Sequence, residues 1–376
     1  MLDEVKLHNF KSHQATELRL DNSRFHALVG QNSAGKTSVL QALHYLSLLA
    51  DSSFSRIFQY DKAPQFITTI GAEEMCVTAS GFWGFKEPKY WEAAYSWQQR
   101  EGGWVPTVSW QVEQNRDDSS GWSESFSNAP HPIGEAIRHA VYLKLVSSNL
   151  AKAAYSEAET PRVEFDGSGL APTLDFLRNE APDKFELLQE MLRRIVPGVR
   201  EVGIRRAKVK VNREKSIQVD GKLMTYDDTQ EMSGQEVVLS MNTGERIPAH
   251  AVSEGTIITL GLLAVLLNPT QPNLVLLDDV EQGLHPKAQR ELMTVFKTII
   301  AEHKNLQIIF STHSPYIIDE LMPSQVHVLH NSDVTGTVAK RLDEHPDVEW
   351  AKHTLTTGEF WDAEGEEWVV AGEISV

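Results

Sequence analysis

The stretch FHALVGQNSAGKTSVL, residues 25–40, constrains the chain more than any other. Phe25 to Gly30 is an apolar run of strand length, and Val39, Leu40, Leu43 and Leu46 recur at helical spacing. Between them Gly30, Gly35, Lys36 and Thr37 fit G-x-x-x-x-G-K-[ST] in the strand, loop and helix setting which that motif requires. Glycines let backbone N–H groups wrap an anion, and the helix N-terminus adds partial positive charge. The pattern predicts a phosphate loop, with Lys36 on the β- and γ-phosphates of a nucleotide, the Thr37 hydroxyl on Mg²⁺ and Ser38 beside them.

Such a loop works with a carboxylate at the end of a neighbouring strand. In LLDDVEQGLHP the apolar run Leu274–Leu277 ends in Asp278 and Asp279, with Glu281 two residues on. Asp278 fits the metal position. Ser253, Glu254 and Gly255 precede an apolar helical run, and a Ser and a Gly at a helix N-terminus make an anion site. In IIFSTHSPYII, His313 follows an apolar strand, where an imidazole reaches a γ-phosphate. Lys11 and Ser12 stand near the turn after the first strand.

Taken in order, these stretches resemble the ABC-type ATPases of the RecF and SMC kind. The closest likeness is to the AAA_15/AAA_21 ATPases that include the OLD (overcoming lysogenization defect) proteins. That family runs G-x-N-x-x-G-K-[ST], S-x-G, D-E-P-E-x-G-L-H-P and S-T-H-S-P; here the chain reads GQNSAGKT, SEGT, DDVEQGLHP and STHSP. The resemblance covers roughly 1–50 and 245–330. It implies an α/β fold: a P-loop ABC-type ATPase head with a mixed sheet core and helices, plus an antiparallel β-rich lobe and a helical insertion. It also implies ATP and Mg²⁺ as cofactors and a homodimer or higher homo-oligomer. The phosphate loop of one head would face Ser253 and Gly255 of the other.

Carried over by position, Asn32 and Lys36 touch the γ-phosphate, and Thr37 and Asp278 serve Mg²⁺. Lys11 and Ser12 sit beside the nucleotide, and His313 is the switch histidine. The glutamine that links metal to lobe is Gln59 or Gln65. The chain departs from the pattern at Asp279, where the water-polarising glutamate is usual. The side chain is one methylene shorter, and a misplacement of ~1 Å can cost ~100-fold. Hydrolysis is therefore expected to be slow, or assisted by Glu281. No TOPRIM-like acidic cluster follows His313, so destructive chemistry would belong to a separate effector.

With 376 residues and 41% hydrophobic content the chain has room for a large core. A formal charge of −17 repels nucleic acid and anionic membranes, so any DNA contact must be local. One cysteine, Cys76, excludes a disulfide framework and a cysteine zinc site within the chain. The N-terminus lacks the basic and apolar regions of a signal peptide, and TIITLGLLAVLL (256–267) is too short to span a bilayer. A cytoplasmic protein with no membrane partner is expected.

The texture predicts an ATPase core in 1–50 and 245–340, an inserted lobe over 51–244 and a tail over 341–376. Residues 66–126 read as an antiparallel meander with a hairpin near Gly102-Gly103, and DDSSGWSES (117–125) as a loop. Six of the nine tryptophans lie between 83 and 122, building that sheet's core or, alternatively, a base-stacking platform. Residues 173–196 read as two helical segments around Pro182, and 199–240 as short strands. No sustained heptad predicts a coiled-coil arm. Arg205, Arg206, Lys208, Lys210, Arg213 and Lys215 give the 205–215 strand a cationic face, either balancing nearby acids or contacting DNA phosphates. Phe360, Trp361 and Trp368 clamp the tail or dock a partner.

Two functions from different classes follow. One is an ATP-hydrolysing, dimerising switch in phage defence or DNA repair, acting with a separate effector. The other is a non-hydrolysing ATP-bound scaffold or sensor that sequesters a partner protein. A small-molecule kinase or an AAA+ ring motor also begins with a phosphate loop, but the Ser253–Gly255 and His313 stretches argue against both.

Overall fold

Alternating burial shapes the first strands. β1 (Leu2–Phe10) turns Leu2, Val5, Leu7 and Phe10 inward, and β2 (His13–Arg19) does the same with His13, Thr16 and Leu18. β3 (Phe25–Val29) is buried at all five positions, as a central strand covered on both faces must be. α1 (Lys36–Leu49) starts at Gly35 and packs Val39, Leu40, Leu43 and Leu46 inward. The computed structural model describes residues 1–21, 23–83, 89–112, 133, 137, 140–219, 222–270, 272–332 and 335–370. These form two compact units: Met1–Tyr142 with Pro272–Glu281 and Phe296–Val376, and Leu143–Gln271 with Gln282–Val295.

In the first unit, β4 (Glu74–Trp83), β5 (Lys89–Arg100) and β6 (Gly103–Val112) form the expected antiparallel meander. β5 and β6 turn over directly at Arg100 and Gly103. The meander does not stand alone, because β1 pairs with β4, giving the order β2-β1-β4-β5-β6. Trp91, Trp97 and Trp110 are fully buried, and Trp97 Nε1 donates to Thr68 Oγ1 at 2.6 Å. These three build the core and offer no face for stacking a base. The 117–125 loop, Trp122 and the Trp83 side chain lie outside the described residues.

The second sheet of this unit carries the phosphate loop. Its order is β14-β13-β3-β12-β11-β7. Here β7 is Ala140–Leu143, and the strands of the second unit, given below, take the next three numbers. β11 (Leu274–Leu277) and β12 (Gln307–Ser311) are buried throughout and run parallel to each other, and β12 is parallel to β3. β13 (Val326–Ser332) is parallel to β3, while β14 (Gly336–Arg341) is antiparallel to β13, so the sheet is mixed.

The second unit holds α2 (Leu170–Glu180) and α3 (Pro182–Ile195). Pro182 opens α3, where its missing N–H costs nothing, and Asp183 and Arg193–Arg194 suit the two ends of the helix dipole. Phe185, Leu188, Met191, Leu192 and Ile195 are its buried face, and Leu187 is half-buried. The short strands expected over 199–240 are instead two long ones, β8 (Val199–Val219) and β9 (Lys222–Met241), paired antiparallel, with β10 (Arg246–Pro248) beside β9. Val199, Val202, Val237, Val238 and Leu239 are buried at one end, whereas Arg205, Arg206, Lys208 and Lys210 further along are exposed, so no continuous buried face marks the strands' length. α4 (Glu254–Leu266) is buried on almost every side and is apolar all round for that reason.

Buried His13, His26 and His327 and half-buried His44, all in the first unit, set a pH limit. Burial pulls His13, His26 and His44 down to about 4 and His327 to about 3. His26 Nδ1 and His327 Nε2 lie 3.2 Å apart. The folded state keeps these rings neutral, whereas the unfolded chain takes up protons near pH 6.5. Below that value the unfolded state binds more protons, so stability falls as pH falls towards 4. The slope approaches ~1.4 kcal/mol per histidine per pH unit. Melting temperature is expected to be level above about pH 7 and to drop between about 6.5 and 5, before most carboxylates titrate. A level profile through that window would contradict the neutral buried rings.

Candidate functional site

The phosphate loop takes its shape from two glycines in the left-handed half of backbone space, Gly30 at φ 139° and Gly35 at φ 92°. A Cβ on Gly30 would stand 2.2 Å from the Leu329 carbonyl oxygen, and one on Gly35 would stand 2.6 Å from His13 Nε2. His13 lies buried beneath the loop, with Nε2 3.1 Å from the Gly35 carbonyl oxygen and Nδ1 2.9 Å from Thr16 Oγ1. Lys36 folds back over the loop and donates to the carbonyls of Gly30 at 2.7 Å and Gln31 at 2.9 Å. Burial pulls its ammonium below the usual lysine range, against the opposing pull of Asp279, Asp278, Glu281 and Glu366.

β11 delivers the acids. Asp278 is buried, and the Thr37 hydroxyl lies 3.0 and 3.1 Å from its two carboxylate oxygens. Ser311, at the end of β12, donates to Asp278 Oδ1 at 2.7 Å and accepts from Asp279 N at 2.8 Å. That bridge ties the ends of β11 and β12 together. Asp279 follows with φ 55°, a left-handed conformation that a short polar residue tolerates best. Glu281 is turned onto the next stretch, accepting from Thr312 Oγ1 and His313 N, both at 2.7 Å. The His313 ring is exposed. Burial, and after it the Asp278 carboxylate, raises the Tyr142 phenol well above its usual range. The hydroxyl of Thr37 and the carboxylate of Asp278 are hard oxygen donors, which fit Mg²⁺.

The other candidate residues are placed as follows. Lys11, at φ 54°, donates to Gln41 Oε1 on α1, and burial lowers its ammonium. Ser12 Oγ accepts from Thr337 Oγ1 at 2.8 Å. Asn32 is exposed on the loop, and Ser38 N donates to the Gly35 carbonyl at 2.9 Å. Gln59 and Gln65 are both exposed, and Gln59 Nε2 donates to the Arg56 carbonyl at 3.0 Å. Ser253 and Gly255 belong to the second unit. Ser253 caps α4, accepting from Thr256 N at 3.4 Å, and a Cβ on Gly255 would meet the Gly283 carbonyl oxygen at 2.4 Å.

Lys36, Thr37, Asp278, Asp279 and Glu281 thus share one site in the first unit. Sequence reasoning missed His13, Gln41, Tyr142, Ser311 and Thr312. Ser311 and Thr312 stand in the stretch read only for His313, and His13 directly follows Lys11 and Ser12. On the ribbon, Arg205 pairs with Glu236 at 2.5 Å and Lys208 with Glu231 at 3.2 Å. Arg206, Lys208 and Lys210 are all exposed at alternate positions, and the side chains of Arg213 and Lys215 lie outside the described residues.

Residues 1–81 match the AAA_15 family, AAA ATPase domain, and residues 136–319 match the AAA_21 family, AAA domain, putative AbiEii toxin, Type IV TA system. A retron Vc95 probable ATPase of Vibrio cholerae serotype O1 biovar El Tor is 28% identical over 108 residues, 27% of this chain. The match spans only 20% of that relative's length. Two solved SMC heads share the fold. An SMC head bound to the C-winged helix domain of ScpA gives TM-score 0.55 at 14% identity, over 91% of this chain and 99% of that one. An SMC head with an extended coiled coil, bound to a ScpA domain from Pyrococcus furiosus, gives 0.53 at 14%, over 94% and 99%. No helix among the described residues is long and apolar enough to cross a membrane. Residues 1–81 and 136–319 are thus similar to AAA ATPase domains, and the fold is the one that SMC heads share.

Proposed function

We propose that the chain binds Mg²⁺·ATP at the phosphate loop, hydrolyses it, and uses it to pair two heads. The observation that carries this reading is the convergence of Thr37 and Asp278 at 3.0–3.1 Å beside Lys36. Lys36 exchanges its two loop carbonyls for phosphate oxygens, and Asn32 donates to the γ-phosphate. Lys11 and Ser12 flank the nucleotide. Thr37 and Asp278 hold the metal, which neutralises phosphate charge when bound. Asp279 polarises the attacking water, Glu281 stands in reserve, and the exposed His313 reaches the γ-phosphate. Ser253 and Gly255 of one head meet the loop of the other.

The paired head is a nucleotide-controlled switch in phage defence or DNA repair, and a separate effector acts downstream. The retron and Type IV TA matches support that setting. The exposed cations of the 205–215 ribbon are its candidate DNA contact, and the protein acts in the cytoplasm. The domain division we retain is an ATPase core in 1–50 and 245–340, a lobe over 51–244 and a tail over 341–376. A second reading, the non-hydrolysing scaffold, is favoured by one observation: the base position holds an aspartate in a left-handed turn.

Lys36→Ala is expected to abolish ATP binding. Ser253→Arg is expected to leave ATP affinity intact and to block ATP-dependent pairing, measured by light scattering. Unchanged dimerisation in Ser253→Arg would rule out pairing through this stretch.

A further inference from the structure

The segment Thr357–Val369 is tied down at several points of the first unit. Thr357 Oγ1 donates to the Leu321 carbonyl and Gly358 N to Asp319 Oδ1, each at 2.9 Å. Gly358 sits so close to the short helix Pro315–Ile318 that a Cβ would stand 2.2 Å from the Pro315 carbonyl oxygen. Phe360 and Trp361 are buried, and the His345 ring meets Phe360 and Trp368 edge-on at 5.1 and 4.9 Å. Asp347 N donates to His345 Nδ1, which puts the ring proton on Nε2, facing the Glu364 carboxylate 3.5 Å away. With that tautomer the ring has no lone pair left for a cation between His345, Asp347 and Glu364, so the three act as a clamp.

The clamp decides where the chain goes next. Just past α5 (Thr357–Glu364), Glu366 Oε2 comes to 3.4 Å from Nε2 of Gln31, the second residue of the phosphate loop. Glu366 is one of four carboxylates that act electrostatically on Lys36. Three of them, Asp278, Asp279 and Glu281, come from the end of β11 and have work there. Glu366 comes from elsewhere in the chain and has none. Its contact is long and exposed, so it is weak. The indole Nε1 atoms of Trp361 and Trp368 are buried without a partner, so the docked segment leaves polar groups unmet and is poised to shift.

We propose that Thr357–Val369 is a strap that lays the Glu366 carboxylate on the phosphate loop, opposes nucleotide phosphate there, and is displaced by it. The proposal rests on the reading that the loop binds ATP. A triphosphate arriving at Lys36 meets this negative charge, and the charge retreats because, among the described residues, one long amide contact holds it to the loop.

The test uses the full chain and titration with ATP and Mg²⁺. Glu366→Gln is expected to tighten ATP about 2–5-fold, the range of a half-exposed charge effect. The gap should shrink towards ~1 M salt, where screening acts within ~3 Å. Glu367→Gln, an exposed neighbour, should leave affinity unchanged. Gly358→Ala, which lifts the strap without altering its charge, should tighten ATP in the same direction. Independently, hydrogen exchange of the 357–369 amides in the wild-type chain should quicken when ATP saturates the protein. Unchanged or weaker ATP binding in Glu366→Gln overturns the strap while wild type still binds ATP. A fall in hydrolysis at unchanged affinity also overturns it, and moves Glu366 to the water. If wild type itself binds no ATP, the nucleotide reading fails and the strap fails with it. Exchange of that segment indifferent to ATP overturns the displacement.

Discussion

Asp278→Asn is expected to abolish magnesium-dependent ATP hydrolysis. Asparagine keeps an oxygen for Ser311 and Thr37, whose hydroxyls lie 2.7 and 3.0 Å from Asp278 Oδ1, so the fold should survive. What is lost is the negative charge opposite the metal. Metal ions supply several kcal/mol of charge stabilisation in phosphoryl transfer, and each ~1.4 kcal/mol is tenfold in rate, so a loss on the order of 10³-fold is expected. ATP itself should still bind through the loop amides and Lys36. Melting temperature within a few degrees of wild type, with hydrolysis gone, would mark a chemical rather than a structural effect.

Asp279→Ala should have an effect of comparable size. Removing a positioned base typically costs about 10²–10⁴-fold, and the variant should accumulate as an ATP-bound pair. Glu281→Gln should cost less, because both Glu281 oxygens are already engaged by Thr312 Oγ1 and His313 N at 2.7 Å. A single-turnover assay compares the two. A stall in Glu281→Gln with near-normal cleavage in Asp279→Ala would reverse the assignment and make Glu281 the base. Normal cleavage in both would send the search to His313.

How much of this could be read in advance depended on where each constraint is written. The phosphate loop was legible because its geometry needs glycine at Gly30 and Gly35, where a Cβ would collide at 2.2 and 2.6 Å. Asp278 was legible because a buried four-residue strand ends on it. The meander was legible from its alternation, and its buried tryptophans from their crowding. The partners of these groups were not. Ser311 reaches Asp278 by a side-chain hydrogen bond across 33 positions, and His13 reaches the Gly35 carbonyl across 22. A hydroxyl or imidazole looks the same in sequence whether it anchors a site or faces water. The length of the β8–β9 ribbon was hidden for a different reason: beyond its buried end the strand exposes Arg205, Arg206, Lys208 and Lys210, where a buried strand would carry an apolar pattern. Nothing local connects Glu366 with Gln31, 335 residues away, until His345 and the aromatics dock the segment between them.

On the proposed reading, Thr37 and Asp278 converge in order to hold a metal-bound nucleotide for hydrolysis. Steady-state phosphate release from ATP, with and without Mg²⁺, by wild type and Asp278→Asn side by side, tests it most directly. The account predicts repeated turnovers by wild type that vanish without Mg²⁺ and vanish in Asp278→Asn. Equal release from both proteins would contradict it, and so would a wild type that binds ATP and never releases phosphate.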